Sequence, residues 1–411
     1  MHAEQRSFLF LQGPLSYFFL RLGKALRQQG CAVHRVNFCG GDVFYWPWGG
    51  THLWRGHLYE WPQWIAGLMN QCGTTDVVLL GDWRPLHREA IWLARQRGAR
   101  IWVYEFGYLR PNYLTLEEGG VNAFSPLPQT PEDVRKRSEE LCEQAEPRAS
   151  RAPNPMRGRV VKTIMNHVGN VLLWPLFPRY KTHRPYCAGR EMMGWIPRWL
   201  SRKRRRAHGI ATTRNLLRAH TKFYLMPLQL DADAQIRRHS PFTGILECMA
   251  QVITNFAQHA PKDAFLVVKN HPLDNGLLNY RRYMRSLARA TGCSERLRFV
   301  EEVDSKLLCA KAEAVVLCNS TLGLSALQMG KSVYCLGTSI YAMPGLAVDV
   351  QQMSLENFWY NHPEPDSTLL QDFLRVLRHD ALVPGNFYSL QGINDAIAAS
   401  LPRMGLGKQH V

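Results

Sequence analysis

The acidic pair Asp231 and Asp233 is the first candidate for covalent chemistry. It follows a predicted strand and the polar Gln229 in the stretch MPLQLDADAQIRRHSPF (226–242). A carboxylate that faces a cleft can attack the anomeric carbon of a sugar and later be displaced, so that the configuration is retained overall. Two other interpretations are open. The Asp-x-Asp spacing is a weak pattern for a divalent metal, and two acids after a strand often cap the next helix.

Glu105 is a second acidic candidate, within VYEFGYLRPNYLTLEEGGVN (103–122). It comes at the end of a predicted strand, just before a loop marked by Gly107 and Pro111. A carboxylate at the carboxyl end of a strand can act as a general acid or base when burial adjusts its pKa. The alternative is that Glu105 forms a structural salt bridge with Arg110.

The stretch FLVVKNHPLDNG (265–276) is the first of two candidate phosphate sites. Its apolar run predicts a buried strand, which ends in Lys269, Asn270, His271 and Pro272. Open α/β sheets bind ligands at the carboxyl ends of parallel strands, and the proline would fix the direction of the histidine. The alternative is an ordinary strand-to-loop turn, because proline ends a ladder and asparagine favours turns.

The stretch CNSTLGLSALQMGKSVYCLG (318–337) is the second candidate phosphate site. Ser320 and Thr321 end a predicted strand and open a helix, and Gly323 allows close approach. The two hydroxyls and the free N–H groups of the helix can bind an anion, although such a pair can also be a simple helix cap. One histidine site and one Ser/Thr site in the same Rossmann-like domain are the arrangement expected around a nucleotide phosphate.

Two successive series of alternating strands and helices must position these residues. The predicted strands are 7–13, 31–38, 75–82 and 99–107 in the first series and 222–229, 264–272, 296–303, 312–320 and 332–337 in the second. This alternation predicts parallel sheets with helices on both faces, and no GxGxxG dinucleotide motif is present. The sequence therefore predicts an α/β protein of GT-B type, with two Rossmann-like domains facing across a cleft that holds the active site.

Charge is distributed very unevenly along the 411 residues, whose net charge is +17 at pH 7. Residues 148–222 carry 18 Lys and Arg and one acid, Glu191, whereas the rest of the chain carries 32 basic and 32 acidic side chains. The predicted domains are a Rossmann-like domain (1–147), a basic amphipathic insertion or linker (148–221), a second Rossmann-like domain (222–385) and a C-terminal helix and tail (386–411).

The basic insertion mixes cationic side chains with bulky apolar ones, as in WIPRWLSRKRRRAHG (195–209). This composition suits a segment in a lipid interface, with about 1 kcal/mol gained per basic residue near an anionic leaflet. A nucleic-acid surface and a solvated loop are the alternatives. The aromatic and aliphatic content favours lipid, so no nucleic acid partner is expected.

Other features of the sequence indicate the cellular location of the protein. No apolar run approaches the roughly 20 residues that cross a bilayer, and the N-terminus carries charge early. The ten cysteines form no CxxC pair, which predicts reduced thiols instead of disulfides or a zinc site. A cytoplasmic protein, peripheral on the inner face of the cytoplasmic membrane, is therefore expected.

As a set, the motifs resemble those of the KpsS-type family of bacterial capsular polysaccharide biosynthesis and export proteins. They are FLQGP near the start, YEFGYLRPNYLTLEEGGVN, PLQLDADAQIRRHSPF, KNHPLDNG, and NSTLGLSALQMGKSVYCLG followed by IYAMPGL. They occur in this order and span residues 8 to about 346. The resemblance implies a retaining GT-B β-Kdo transferase that uses CMP-Kdo. It would place the first Kdo on a phosphatidylglycerol-type lipid, which starts the linker of an exported capsule.

The resemblance also implies which residues hold the nucleotide. The family's HP motif, here at residues 271–272, and its Ser motif, here at residues 320–321, hold the CMP phosphate from two sides. The expected nucleotide-binding set is His271, Pro272, Ser320, Thr321, Lys269 and Gln229. No metal or other cofactor is expected, because a histidine, a hydroxyl and a helix N-terminus can stabilise the leaving phosphate.

The catalytic set implied by the resemblance is Asp233, Glu105 and Asp231. Glu105 matches the acidic residue of the family's E-x-G-[YF]-x-R motif, and the aspartate after PLQ matches its candidate nucleophile. Asp233 is preferred over Asp231 for that role. Ser325 departs from the glutamate that related enzymes often have, so no cytidine or ribose contact is assigned to it.

The expected partners are a CMP-sugar donor, an anionic lipid acceptor, the inner membrane surface and other capsule biosynthesis and export proteins. The N-terminal domain would face the acceptor and the C-terminal domain the nucleotide sugar. Two alternatives are open: a non-enzymatic component of capsule export, and a related transferase that uses CMP-sialic acid or CDP-glycerol.

Overall fold

The computed structural model describes residues 5–153, 156–182, 188–231 and 233–407. They form two compact units, each built on its own sheet. Unit 1 comprises Met1–Leu127, Glu143–His183 and Val376–Val411, and unit 2 comprises Pro128–Cys142 and Arg184–Arg375.

The elements alternate along most of the chain, as the apolar periodicity predicts. The strands are β1 (Ser7–Phe10), β2 (Ala32–Asn37), β3 (Thr51–Leu53), β4 (Asp76–Leu80), β5 (Arg100–Phe106), β6 (Tyr113–Glu118), β7 (Phe223–Pro227), β8 (Phe265–Lys269), β9 (Leu297–Val300), β10 (Ala314–Leu317), β11 (Ser332–Cys335), β12 (Val348–Asp349) and β13 (Leu382–Pro384). The α-helices are α1 (Phe18–Gln28), α2 (Gly40–Tyr45), α3 (Trp61–Gln71), α4 (Pro85–Gln96), α5 (Pro131–Glu140), α6 (Met156–Leu172), α7 (Ala188–Leu200), α8 (Arg202–Arg218), α9 (Ala234–Arg238), α10 (Ile245–His259), α11 (Tyr280–Ala290), α12 (Ser305–Lys311), α13 (Leu322–Leu327), α14 (Leu355–Phe358), α15 (Ser367–Val376) and α16 (Leu390–Arg403).

The sheet of unit 2 is parallel, with the order β12-β11-β10-β7-β8-β9. Read from β9, this is the 3-2-1-4-5-6 order of the doubly wound nucleotide-binding fold. The chain builds outward from β7 to β9 and then returns to the other side of β7 to add β10. The loops after β7 and β10 leave in opposite directions, and the crevice at such a switch point is where open α/β sheets bind ligands.

The core of unit 2 covers the sheet with helices. The strand FLVVK of β8 is apolar until its last residue, as expected for a strand with helices on both faces. On α10, the buried residues Ile245, Met249, Val252 and Phe256 recur at three and four positions and form one apolar stripe. This packing holds the strand ends, and hence the residues that follow them, in fixed positions.

The sheet of unit 1 is mixed, with the order β13-β6-β5-β4-β1-β2-β3. Strand β6 is antiparallel to β5, and β13 is antiparallel to β6, whereas the other pairs are parallel. The strands predicted for this unit are observed as β1, β2, β4 and β5, and they are parallel as expected. The antiparallel strands β6 and β13 are absent from the predicted set. The connection from β5 to β6, residues 107–112, is too short for a crossover helix, which needs about a dozen residues or more.

The predicted α/β class with two Rossmann-like units is confirmed, and their meeting across a cleft stays a prediction. The limits of the units differ from the predicted ranges 1–147, 148–221, 222–385 and 386–411, because the chain returns to unit 1 near its end. There β13 pairs with β6, and α16 packs on the same unit.

The described part of the basic insertion is largely helical, which does not fit the alternative of a solvated loop. Helix α6 belongs to unit 1, and helices α7 and α8 belong to unit 2. Helix α6 packs closely on α2, since a side chain at Gly40 would clash with the backbone of Gly169. Among the described residues, no helix combines the length and the apolar character needed to cross a bilayer.

Candidate functional site

Polar side chains follow three neighbouring strands of unit 2. Asp231 and Asp233 come after β7, His271 after β8, and Ser320 after β10. Because β7 lies between β8 and β10 and all three run parallel, these residues leave the same edge of the sheet, beside the switch point. We call these three strand ends the donor edge, because the sequence predicts that the nucleotide-sugar donor binds there.

Asp231 has structural partners for both of its carboxylate oxygens. Its Oδ2 lies 2.6 Å from Nη2 of Arg237, and its Oδ1 accepts a hydrogen bond from the backbone N–H of Ile245 at 3.2 Å, where α10 begins. This is the helix-capping role that an acid after a strand can take. A guanidinium at this distance also opposes the binding of a divalent cation, which argues against the Asp-x-Asp metal pattern.

Asp233 is the N-cap of the short helix α9. Its Oδ1 accepts a hydrogen bond from the backbone N–H of Gln235 at 3.0 Å, and the residue is half-buried. The capping interpretation therefore applies to both aspartates. Asp231 is held by Arg237 and at the start of α10, and the preference for Asp233 as the nucleophile stays a prediction.

Gln229 joins the two strand ends that flank the switch point. Its Nε2 donates to Oδ1 of Asn319 at 3.0 Å, and its Oε1 accepts from the backbone N–H of Asn319 at 3.2 Å. The amide Nδ2 of Asn319 donates in turn to the carbonyl oxygens of Gln235 and His239. Both amide side chains are buried, so they fix the Asp233 loop against β10 from beneath. Asn319 is not among the site residues predicted from the sequence.

The ring of His271 is held by a local hydrogen bond. Its Nδ1 lies 3.0 Å from the backbone N–H of Leu273, and since an N–H must donate, Nδ1 is the acceptor. In the neutral ring the proton is then on Nε2, which makes that atom a donor suited to a phosphate oxygen. Pro272 lies between His271 and Leu273, and its ring fixes φ at about −65°, which restricts the conformations of this turn.

A buried network supports His271 from behind. Oδ1 of Asn270 accepts the backbone N–H of His271 at 2.8 Å, and its Nδ2 donates to Asp274 at 2.9 Å and to Glu301 at 3.1 Å. Nη1 of Arg198 lies 3.0 Å from Oδ2 of Asp274 and 3.1 Å from Oε1 of Glu301. Arg198 belongs to α7, so one charge of the basic insertion helps to position His271, the residue predicted to bind the phosphate.

Lys269 lies beneath the donor edge. It is 4% exposed, and its Nζ is 3.3 Å from the carbonyl oxygen of Asn270. Burial lowers the pKa of the ammonium, and Cys309, Asp304 and Glu302 oppose that shift. The ammonium group of Lys269 therefore lies inside unit 2. Its direct contact with a nucleotide stays a prediction.

Ser320 is tied into the turn that follows β10. Its Oγ accepts from the N–H of Leu322 at 3.3 Å, and its carbonyl oxygen accepts from the N–H of Gly323 at 2.9 Å and from the hydroxyl of Tyr341 at 2.5 Å. Helix α13 has only 6 residues, and its first two N–H groups already donate within this turn. Of the predicted anion-binding groups, the hydroxyls of Ser320 and Thr321 are therefore the ones that stay candidates. Gly323 makes room for the Tyr341 ring, which a side chain would overlap.

Glu105 lies in unit 1, near the end of β5. Its Oε1 accepts from the backbone N–H of Phe106 at 2.9 Å. Nε of Arg110 donates to the carbonyl oxygen of Gly107 at 3.2 Å, and its guanidinium lies 5.5 Å from the centroid of the Phe106 ring. The acid-base role of Glu105 and its salt bridge with Arg110 both stay predictions.

Glu117, on β6, is a buried acid that is absent from the predicted site residues. Its Oε1 accepts from the hydroxyl of Tyr108 at 2.8 Å, and its Oε2 accepts from the hydroxyl of Ser125. Burial raises its pKa to about 7, although both hydroxyls and Arg403 oppose the shift. A carboxyl with a pKa near neutral pH can both donate and accept a proton, so Glu117 is a further candidate for proton transfer in unit 1.

Replacing Glu117 with Gln is expected to flatten the pH dependence of the free energy of unfolding. The folded carboxyl has a pKa of about 7, whereas its ordinary value is 4.5, so between these values the folded state binds more protons than the unfolded state. Glu117 therefore contributes its whole stabilisation at acid pH. The free energy of unfolding of the wild type falls by roughly 3 kcal/mol as the pH rises through about 7. Denaturant unfolding at a series of pH values measures this, with the exposed neighbour Glu118→Gln as the control. A variant with the wild-type slope would contradict the assignment.

Metal-ligating side chains come together elsewhere in unit 1. Among the described residues, the donor atoms of His34, His52 and Cys72 lie within 4.8 Å of one another. This group is formed by β2, β3 and the end of α3 and includes none of the predicted site residues. Burial lowers the pKa of both histidines and raises that of the thiol, so that all three groups are neutral near pH 7.

Comparisons with known proteins agree with the motifs. The family described as "Capsule polysaccharide biosynthesis protein" matches residues 75–388. The chain is 32% identical over 392 residues to the capsule polysaccharide export protein KpsS of Escherichia coli, covering 93% of this chain and 97% of that protein. It is 32% identical over 390 residues to the capsule polysaccharide modification protein LipB of Neisseria meningitidis serogroup B, covering 93% and 91%.

Solved structures are similar at a lower level. The β-Kdo 2,7 transferase of Thermosulfurimonas dismutans KpsC matches with 16% identity and a TM-score of 0.46, over 97% of this chain and 100% of that chain. The β-Kdo 2,4 transferase of the same protein matches with 16% identity and a TM-score of 0.44, over 96% and 99%. The family match and the two relatives confirm the resemblance predicted from the motifs: the chain belongs to the capsule polysaccharide biosynthesis protein family.

Proposed function

We propose that the chain is a retaining glycosyltransferase that moves Kdo from CMP-Kdo to a phosphatidylglycerol-type lipid, and so initiates the poly-Kdo linker of capsular polysaccharide. The observation that carries the proposal is the donor edge, where residues after β7, β8 and β10 gather beside the switch point of a doubly wound sheet. Such an edge suits a nucleotide. The family indicates the capsule pathway, and the motif resemblance indicates the donor.

The leaving group of this reaction is CMP, a phosphate monoester. Nε2–H of His271 and the hydroxyls of Ser320 and Thr321 donate to its oxygens, so that the developing negative charge is stabilised without a metal. Donors work best here when they are already in place before the reaction. The hydrogen bonds that Leu273 and Asn270 make with His271 support this preorganisation.

The sugar is transferred in two displacements. Asp233 attacks the anomeric carbon of Kdo as the bond to CMP breaks, which forms a covalent glycosyl-enzyme and inverts the configuration. The hydroxyl of the lipid then attacks the same carbon and displaces the carboxylate, so that the configuration is retained overall. Glu105 takes the proton of that hydroxyl as general base. Asp231 acts only by holding Arg237 and the start of α10.

A lipid acceptor requires the protein to reach a membrane surface, which we place at the inner face of the cytoplasmic membrane, and exposed apolar residues of the basic insertion support membrane contact. In unit 1, Val171 and Leu172 of α6 are each 70% exposed, and in unit 2, Trp199 and Leu200 of α7 are 73% and 71% exposed. Large apolar side chains in water beside arginines are typical of helices that lie in a lipid interface. The insertion thus brings the protein to its acceptor.

The purified protein is expected to release CMP and to form a glycolipid when it is given CMP-Kdo and vesicles that contain phosphatidylglycerol. Mass spectrometry identifies the glycolipid, and calorimetry with CMP and CDP identifies the nucleotide. His271→Ala should weaken CMP binding at least about tenfold, because a hydrogen bond to a charged group contributes about 1.5–3 kcal/mol.

Other outcomes would select the alternatives. Transfer from CMP-sialic acid or CDP-glycerol, but not from CMP-Kdo, would keep the enzyme class and replace the donor. An inert wild type with all three donors would reject the transferase in favour of a non-enzymatic role in capsule export. In that case Asp233→Ala and His271→Ala should leave capsule export in cells intact.

A further inference from the structure

Helix α11 of unit 2 carries a stripe of arginines. Arg281, Arg285 and Arg289 recur every four residues in YRRYMRSLARA, so they share one face of the helix. Like charges at this spacing destabilise a helix. A ligand with negative charge would relieve that repulsion.

The stripe lines a cavity of about 610 Å³ within unit 2. The cavity is also lined by His208 and Thr212 of α8 and by Arg298 of β9, with Leu297 and Phe299 as apolar members. Cavities of about 300–1,000 Å³ are typical of sites for small ligands. The cavity is lined by Leu297, Arg298 and Phe299 of β9 and by none of the residues of the donor edge, so the two sites share no lining residue.

Positive charge in this cavity is only partly compensated. None of the lining residues is acidic. Nη2 of Arg281 lies 3.6 Å from Oε2 of Glu301, and Nη1 of Arg298 donates to the carbonyl oxygens of Glu295 at 2.8 Å and of Leu297 at 2.9 Å. Among the described residues, no carboxylate forms an ion pair with Arg285. The exposed Arg285 is therefore available to an anion.

His208 lines the same cavity and lies beside two of these arginines. Burial lowers the pKa of its ring, and Arg281 and Arg285 lower it further, against the opposing charge of Glu301. The ring is therefore neutral near pH 7 and can donate one hydrogen bond. Guanidinium groups present planar pairs of N–H donors that match two oxygens of one phosphate.

We propose that this cavity binds a phosphate-class anion, which is either the headgroup of a lipid or a free phosphorylated molecule. Arg285 and Arg289, the two exposed members of the stripe, bind the oxygens first, and Arg281 and Arg298 complete the set from their partly buried positions. The proposal does not depend on the identity of the sugar donor, because it uses neither the donor edge nor its residues.

Inorganic pyrophosphate is the probe, with binding to the full chain measured by calorimetry at two salt concentrations. Arg285→Gln should bind it at least about tenfold more weakly than wild type, because one charge-assisted contact is lost. Arg282→Gln removes the same charge from an exposed position of the same helix that does not line the cavity, so it should bind like wild type. His271→Ala should still bind pyrophosphate in the cavity, because His271 does not line it.

Three results would overturn the proposal. The first is a wild type that does not bind pyrophosphate. The second is an equal weakening of binding by Arg285→Gln and Arg282→Gln, because the attraction then comes from diffuse charge. The third is binding that His271→Ala abolishes and Arg285→Gln does not change, because the anion is then at the donor edge.

The source of the anion is decided by sedimentation with vesicles of phosphatidylcholine, with and without phosphatidylglycerol. Weaker sedimentation of Arg285→Gln than of Arg282→Gln, together with competition by pyrophosphate, identifies a lipid headgroup. Equal sedimentation of the two variants, combined with the Arg285-dependent binding of pyrophosphate, identifies a free phosphorylated molecule.

Discussion

Asp233→Asn is expected to lower the rate of sugar transfer at least about 10³-fold and to leave the affinity for CMP within about twofold of wild type. The amide cannot form the glycosyl-enzyme. Its Oδ1 can still accept the N–H of Gln235, which lies 3.0 Å away in wild type, so the loop keeps its cap. The effect is therefore confined to the chemical step. Initial rates of CMP release and calorimetry with CMP measure the two quantities.

Asp231→Asn is the matched control, because it removes the same charge two residues away. It loses the ion pair with Arg237 at 2.6 Å and weakens the cap of α10, so we expect about 1 kcal/mol less stability and little change in the rate of transfer. If Asp231→Asn abolishes transfer and Asp233→Asn does not, the nucleophile is Asp231. If both variants keep the wild-type rate, neither aspartate forms a covalent intermediate.

The strands that carry these residues could be predicted because their signals are local. The stretch AFLVVKNHP is an apolar run that stops at polar residues, and β8 does end at Lys269. The strand predicted at 222–229 is observed as Phe223–Pro227. A polar side chain directly after a buried strand is therefore recognisable from the amino-acid sequence alone.

The pairing of particular strands cannot be read from these local signals, because it depends on contacts between distant segments. Local sequence does not specify that β10 returns beside β7, or that the three residues of β13 pair with β6. The hydrogen bond between Gln229 and Asn319 joins residues 90 positions apart, and its site exists only once the strand order is fixed. Such pairings are decided by connection length and by burial of the whole sheet.

Burial also explains why Glu117 could not be predicted as a site residue. Glu117 and Glu118 are adjacent in LTLEEGG and point to opposite faces of β6, and the alternation puts Glu118, not Glu117, on the face of Leu114 and Leu116. In the structure Glu117 is 1% exposed and Glu118 is exposed. The pKa of about 7 follows from that burial, and not from residue type or spacing.

Arg198→Met is expected to lower the free energy of unfolding by about 3–5 kcal/mol and to weaken CMP binding. In wild type one guanidinium nitrogen lies 3.0 Å from Asp274 and 3.1 Å from Glu301, and both carboxylates are buried. Without Arg198 the buried Asp274 loses its guanidinium partner, whereas Glu301 keeps Arg205 at 3.5 Å and Arg281 at 3.6 Å. Asn270, which donates to both carboxylates, then holds the backbone of His271 less firmly. Denaturant unfolding and calorimetry with CMP measure the two effects.

Arg202→Met is the control from the neighbouring helix of the same insertion. Its side chain is 66% exposed and pairs with Glu302 at 3.3 Å, an arrangement that contributes less than about 1 kcal/mol. Arg198→Lys keeps a charge near the two carboxylates, so it should recover much of the stability. If Arg198→Met is as stable as Arg202→Met, the network does not hold unit 2 together. If it is destabilised but binds CMP like wild type, α7 supports the fold without positioning His271. Weaker binding that Arg198→Lys restores would show that the basic insertion supports the donor site through the charge of Arg198, because that charge contacts the carboxylates to which Asn270 donates.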